Sequence, residues 1–353
     1  MHRPIHFILP GDPETRTGGY LYDARLIREL RQAGIPVELQ CLPDRFPLPD
    51  AGALDAAESC LATVPDCAVA VIDGLAYGAM PELAARHGRR ISILALVHHP
   101  LAVETGLDPG IRSRLFRSER LALSHACRIV TTSRPTADAL IRDYGVSPER
   151  LDVVPPGTDP APLTRGSGGG GCAMLAVGTI TPRKGHLLLI EALAGLGDLP
   201  WTLACVGSLD RSPETARALR EAIERHQLSD RVTLTGEIGE EELNAFYGRA
   251  DLFVSTSFYE GYGMALAEAV ARGLPIVATS GGAAAETVPK QAAIMVAPGD
   301  EEALRAALRQ AVGNAEKRRR LAAGAIAARR ELPSWAEAAA VFARAIRAAA
   351  DGA

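Results

Sequence analysis

Two glutamates with seven residues between them, Glu260 and Glu268, carry the clearest chemical signal in the chain, within DLFVSTSFYEGYGMALAEAVARGLPIVAT, residues 251–279. The apolar run Leu252–Ser255 reads as a strand. The loop after it holds Glu260, Gly261, Tyr262 and Gly263, and a helix over 263–272 then carries Met264 and Glu268 until Gly273 and Pro275 stop it. The free amides and positive dipole end of such a helix start suit an anion such as a diphosphate, and the glycines let a ligand approach the backbone closely. At 1.5 Å rise per residue the two carboxylates stand roughly 10 Å apart. That is too far to act on one bond and well suited to gripping opposite ends of a long polyhydroxylated ligand.

A second segment, VGTITPRKGHLLLIEAL (residues 177–193), ends a strand at Gly178 and Thr179 and then places Arg183 and Lys184 just before a helix. A basic pair at a helix start opposes the dipole, so an anionic ligand is the better explanation. The pair offers fixed positive charge to a diphosphate leaving group. Lysine is rare here: of 38 basic residues only Lys184, Lys290 and Lys317 are lysines. In the first half, LALVHHP brings His98 and His99 to a strand's carboxyl end. Gly18 and Gly19 lie in the loop expected between the first strand and first helix, where an ordinary βα turn is the alternative. Ser133, at a helix start, and Thr179 and Glu237, at strand ends, are secondary candidates. No D-x-D and no Cys/His grouping with zinc spacing occurs, so no metal site is expected.

The elements that must hold these residues alternate. Strands are expected at Ile5–Leu9, Val37–Leu39, Val69–Ile72, Ile91–Val97 and Arg128–Thr132, with helices over 20–32, 112–127 and Pro135–Tyr144. Residues 155–171, with four Pro and six Gly, read as a linker. Alternation then resumes with Ala173–Val177, Trp201–Val206, Val232–Thr235, Leu252–Ser255 and Ile276–Thr279, each followed by a helix. This implies two doubly wound α/β domains with parallel sheets, facing a cleft, and ligands at the carboxyl ends of the strands. The expected division is 1–156, linker 157–171, 172–332 and a final helix, 333–353, crossing back toward the first domain. Gly166, Gly168 and Gly171 spell G-x-G-x-x-G, but they follow a proline-rich coil and open a strand, which is not the context of a dinucleotide fingerprint.

These segments together resemble the retaining family 4 glycosyltransferases, with their Glu-x7-Glu motif and GT-B architecture of two Rossmann-like domains. The resemblance implies sugar transfer from a UDP- or GDP-sugar to an acceptor, with retention of configuration and without a metal or bound cofactor. It implies that Glu260 lies beside the donor sugar with His98 (or His99), that Glu268 holds the ribose, and that Lys184 and Arg183 contact the diphosphate. It places Gly18, Gly19, Gly178, Gly261, Tyr262, Gly263 and Met264 around the donor. Departures are Thr179, where many members have Arg, Pro156 for the usual Asn before Gly157-Thr158-Asp159, and Ala283 in a Gly-Gly-x-x-Glu loop running from Gly282 to Glu286.

Composition bounds the alternatives. The chain has 353 residues, 47% hydrophobic and 23% charged, at net charge −4. That excludes a disordered chain, a coiled-coil rod and a disulfide-dependent minimal domain, and no basic half suggests nucleic acid. An epimerase or hydrolase acting on nucleotide sugars, or a non-catalytic sugar-binding protein, are the rival classes. The absence of an export signal and of a membrane span points to the cytoplasm, and six cysteines without C-x-x-C pairing read as buried free thiols. Residues 111–128 hold five arginines and one glutamate, a segment suited to an anionic acceptor or to peripheral contact with lipid head groups, or else a solvated helix face.

Overall fold

The structure, a computed structural model, describes residues 4–351. It divides into two compact units, one comprising the chain up to Gly157 together with the tail from Pro333, the other Thr158–Leu332. Each is built on one six-stranded, all-parallel sheet.

In the first unit the strands are β1 (Ile5–Pro10), β2 (Val37–Leu42), β3 (Val69–Asp73), β4 (Ser92–Val97), β5 (Arg128–Thr131) and β6 (Leu151–Val153), in the order β2-β1-β3-β4-β5-β6. Strands β1, β3 and β4 are buried along their whole length, which is why they read as unbroken apolar runs rather than alternating ones. Helices cover the sheet through single apolar stripes. In Arg134–Tyr144 the buried residues are Thr136, Ala137, Leu140 and Tyr144. Ser133 caps its start by accepting the Thr136 N–H, and Gly145, at φ +70°, ends it in the left-handed conformation.

The second unit carries β7 (Cys172–Val177), β8 (Trp201–Val206), β9 (Val232–Gly236), β10 (Leu252–Ser255), β11 (Ile276–Thr279) and β12 (Ala293–Val296), in the order β12-β11-β10-β7-β8-β9. Residues 158–171 form no helix or strand, but they belong to this unit instead of standing free as a linker. The Thr164 N–H donates to the carbonyl of Arg272, the Thr164 hydroxyl to that of Ala250, and the Arg165 N–H to that of Gly248. The final helix, Trp335–Asp351, packs in the first unit, where Trp335 meets the Tyr22 ring at 5.8 Å and lies under the Arg25 guanidinium.

Each sheet reverses its winding direction once: between β1 and β3 in the first, between β7 and β10 in the second. At such a reversal the loops leaving two adjacent strands run to opposite faces, and a crevice opens at the strands' carboxyl ends. Residues on the loops after β1, β3, β7 and β10 are therefore the ones the topology offers to a ligand.

Candidate active sites at the strand ends

At the β7/β10 reversal, Lys184 and Glu260 come together although 76 residues separate them. The loop after β7 runs through Gly178 and Thr179, where the Ile180 N–H donates to the carbonyl of Ser208 at 2.9 Å. A single 3-10 turn, Pro182–Lys184, follows, and the helix begins only at His186. Lys184 thus stands in a turn just ahead of the helix. Gly185 joins the two at φ +67°, against the carbonyl of Thr256 where a Cβ would collide, so the Lys184 turn is pressed onto the β10 loop. The Lys184 stem passes over Gly178, whose missing Cβ would lie 3.4 Å from Cδ and Cε.

The loop after β10 holds Glu260 in a short parallel bridge to Gly282, with the Ala283 N–H donating to the Glu260 carbonyl at 2.8 Å. The Glu260 carboxylate is buried. Lys184 Nζ donates to its Oε1 at 2.6 Å, and the Ser257 hydroxyl donates to the same oxygen at 2.5 Å. Burial pushes this carboxyl up, but the charges of Lys184 and then Arg183 outweigh it, leaving Glu260 below the usual glutamate range. Arg183 also donates from Nη1 to the carbonyl of Tyr259 at 2.8 Å, holding the loop from its other side.

Gly261 and Tyr262 continue this loop. Gly263, at φ +98°, caps the helix Met264–Ala271, so the amides at its start follow directly on the Glu260 loop. The Thr287 hydroxyl donates to the Tyr262 carbonyl, and burial raises the Tyr262 phenol to about 12. Farther along the helix, Glu268 accepts a hydrogen bond from the Tyr247 hydroxyl at 2.9 Å, and burial lifts its carboxyl above the ordinary value against the pull of Arg272. Glu237 is exposed after the edge strand β9, on the far side of β7 from β10, and is not part of this group.

The first unit has its own cluster. Gly18 and Gly19, expected in a loop, are instead the first residues of the helix Gly18–Gln32. A Cβ on Gly19 would lie 3.2 Å from Cδ2 of His98, so glycine there lets the helix start rest on the imidazole. His98 follows β4. Its Nε2 lies 3.1 Å from Oδ1 of Asp23 and 3.3 Å from Oδ2 of Asp73, and the Tyr22 ring meets it edge-on at 5.3 Å. Asp73 ends β3 and its other oxygen accepts the Leu75 N–H at 2.8 Å. The Thr132 hydroxyl donates to the His98 carbonyl. Burial alone would lower the imidazole, yet Asp23 and then Asp73 hold it well above its ordinary value, and Asp23 is itself raised by burial. The two carboxylates thus favour the protonated form of the His98 ring. Among the described residues this trio is the one His/Cys/Asp/Glu grouping close enough to share a cation, its ligand atoms lying within 4.8 Å. His99 turns away, toward Glu104 at 3.6 Å, and Ser133 is a buried helix cap.

Asp23, Asp73, Ser257 and Tyr247 escaped the sequence reading. Asp23 did leave a signal: it is one turn before Leu26 and Ile27 on the buried stripe, where a carboxylate needs a partner. The six cysteines are all free, but Cys41 and Cys67 are exposed, so burial does not explain them as a set.

Comparison with known proteins accounts for both units. Residues 69–162 match the glycosyltransferase family 4 model, and residues 169–327 match the model for glycosyl transferases group 1. The chain thus carries two glycosyltransferase domains, one of each model, on a GT-B fold. It is 33% identical to a mannosylfructose-phosphate synthase of Agrobacterium fabrum over 177 residues, 45% of this chain and 39% of that protein, so it spans well under half of this relative's length. Among solved structures, a sucrose-phosphate synthase from Thermosynechococcus elongatus superposes with a TM-score of 0.81 at 20% identity over 98% of both chains. Anabaena HepE in complex with UDP-glucose superposes at 0.75 and 18% identity, over 97% of this chain and 99% of that one. These likenesses share the two-sheet GT-B fold. Among the described residues no helix is long and apolar enough to cross a membrane.

Proposed function

We propose that the chain transfers a sugar from a nucleotide-sugar donor, a UDP- or GDP-sugar, to an acceptor nucleophile, with retention of anomeric configuration and without a divalent metal in the transfer step. The observation that carries this reading is the Lys184–Glu260–Ser257 group at the β7/β10 reversal, set directly before a helix start. A departing nucleoside diphosphate needs compensating positive charge. Lys184 and Arg183, with the amides at Gly263–Met264, provide fixed charge where a metal would otherwise serve. Glu260 is held ionised and oriented, fit to accept hydrogen bonds from sugar hydroxyls. Glu268 takes the ribose hydroxyls in exchange for its bond to Tyr247. The UDP-glucose held by Anabaena HepE, on the same fold, supports a nucleotide sugar as the donor. His98, held by two carboxylates, acts as a hydrogen-bond donor and positive charge, not as a base, with Gly19 packed against its ring. Six free thiols suit a reducing cytoplasm.

A panel of UDP- and GDP-sugars, offered with and without candidate acceptors and followed by mass spectrometry, tests the reading. We expect a glycosylated acceptor whose anomeric configuration, read by NMR, matches the donor's, and turnover that survives chelation of divalent ions. Donor consumption without any acceptor would turn the assignment to a hydrolase or epimerase. Absence of donor binding would turn it to a non-catalytic sugar-binding protein.

A further inference from the structure

The chain leaving β4 builds a groove that the donor chemistry does not use. After His98, His99 and Pro100 come a 3-10 turn, Leu101–Val103, and the helix Pro109–Ser124, which pack against each other. The contact is anchored from within. The Leu101 N–H donates to Oε2 of the buried Glu119 at 2.9 Å, the Ser118 hydroxyl donates to the Gly78 carbonyl at 2.8 Å, and the Phe116 ring packs on Tyr144 at 4.7 Å. Between turn and helix lies a groove of about 320 Å³ lined by Ala102, Arg112, Ser113, Phe116 and Arg117. Of the four helical residues, Arg112 and Phe116, and Ser113 and Arg117, are i,i+4 neighbours, so the two pairs run side by side along the groove.

The charge in this groove is uncompensated. Several arginines of the chain are held in ion pairs, as Arg25 is with Glu29, Arg128 with Asp152 and Arg309 with Asp198. Arg112 and Arg117 have no such partner among the described residues, and no carboxylate lines the groove. The acids of the segment are committed elsewhere. Asp108 caps the helix through the Gly110 and Ile111 N–H groups, Glu104 faces His99, and Glu119 points inward to Leu101. Burial lifts Glu119 to about 8, so it is largely neutral at pH 7 and does not offset the guanidinium charges. Two guanidinium forks and a hydroxyl are the donors that a phosphate monoester takes, and Phe116 adds an apolar wall of the kind a sugar ring packs against. A volume of this size holds a sugar-sized molecule.

We propose that this groove binds the phosphate of the acceptor, a phosphorylated sugar, through Arg112, Arg117 and Ser113. The proposal rests on the transferase reading for the word acceptor, and on the groove alone for phosphate binding. Isothermal titration at low salt is the test. The probes are glucose 1-phosphate, glucose 6-phosphate, mannose 6-phosphate, unphosphorylated glucose, and vesicles containing phosphatidylglycerol, with UDP titrated in parallel. We expect at least one hexose phosphate to bind where glucose does not, and binding to weaken as salt is raised. R112Q/R117Q should lose about tenfold or more in that affinity. R114Q/R120Q, which removes the same charge from helix positions outside the groove, should stay within about twofold. UDP affinity and melting temperature should hold in both variants. Failure of every hexose phosphate, or equal losses in the two double variants, would overturn the proposal. So would vesicle binding that depends on Arg112 and Arg117 while the hexose phosphates do not bind, since the helix would then be a membrane contact. A chain that binds hexose phosphate but not UDP would sink the proposed donor site and leave the groove standing.

Discussion

Substituting Lys184→Met removes an ammonium and keeps most of its stem. Glu260 then loses a donor at 2.6 Å but keeps the Ser257 hydroxyl at 2.5 Å and the nearby charge of Arg183. Breaking a buried pair by deleting one partner costs about 3–5 kcal/mol when the remaining charge has no escape. Here it has one: Glu260 can take up a proton. At pH 7, neutralising a carboxyl of ordinary pKa costs about 3.5 kcal/mol, and at pH 5 about 1 kcal/mol. The loss is therefore capped at about 3.5 kcal/mol at neutral pH, and Arg183 and Ser257 reduce it further. The pH dependence arises in the variant: the wild-type pair, with its depressed carboxyl, keeps its contribution down to the ordinary glutamate range, whereas the unpaired Glu260 of K184M escapes by protonation at a cost that falls from pH 7 to pH 5. For a unit of this size, about 2–3 kcal/mol corresponds to a melting temperature lower by roughly 5–10 °C at pH 7. The shift should shrink markedly at pH 5, and K184M/E260Q should recover most of it. Differential scanning calorimetry at the two pH values, with UDP titration alongside, measures all three. An unchanged melting temperature at pH 7, or a drop of equal size at both pH values, would refute the electrostatic argument. Full turnover and UDP affinity in K184M would separately remove Lys184 from the donor site.

Two further outcomes follow from the first unit. His98 has a raised value, so its stabilising contribution is fully present below the ordinary imidazole range and is lost as pH rises through the raised one. Imidazole nitrogen NMR should show a doubly protonated ring at neutral pH, and Asp73→Asn should move its titration downward; a wild-type ring titrating near pH 6.5 would contradict the two-carboxylate assignment. Glu119, raised to about 8, holds a proton in the folded chain that the unfolded chain releases above the ordinary glutamate value, so stability falls as pH rises from about 4.3 toward 8. Glu119→Gln keeps the oxygen that accepts the Leu101 N–H and should flatten the melting-temperature profile across that window; an unchanged slope would show that Glu119 does not titrate there.

The strands that were legible are mostly buried. Trp201–Val206, Leu252–Ser255 and Ile276–Thr279 stand as expected because strands covered on both faces need apolar side chains at most positions. Two edge strands went unread. Leu151–Val153 is three residues long, and Ala293–Val296 is half exposed with no alternation to mark it. The helix Ala51–Thr63 was missed as well: its buried residues are Ala53, Ala57 and Leu61, and two alanines in three contact positions flatten the periodicity. Gly18 and Gly19 misled in the opposite direction. Glycine suggested a loop, but what position 19 demands is the absence of a Cβ against His98, which a helix start provides equally well.

The site residues were legible for a different reason than their partners were not. Glu260, the glycines after it and Met264 belong to one strand–loop–helix unit, so the local chain sets their arrangement and spacing alone reveals it. Asp23 and His98 are 75 residues apart, Lys184 and Glu260 76, and no local pattern pairs them. The sheet order does. Parallel strands with helical crossovers must bring all their carboxyl ends to one edge, and a single reversal of winding direction makes β1 neighbour β3 and β7 neighbour β10. Once that order is fixed, a carboxylate ending β3, an imidazole after β4 and a helix start after β1 have to meet. A buried charge that arrives there without an opposite one would be too costly to keep. The alternation of strands and helices could thus be read one segment at a time, whereas the ion pairs that hold each site are a property of the order in which the strands pack.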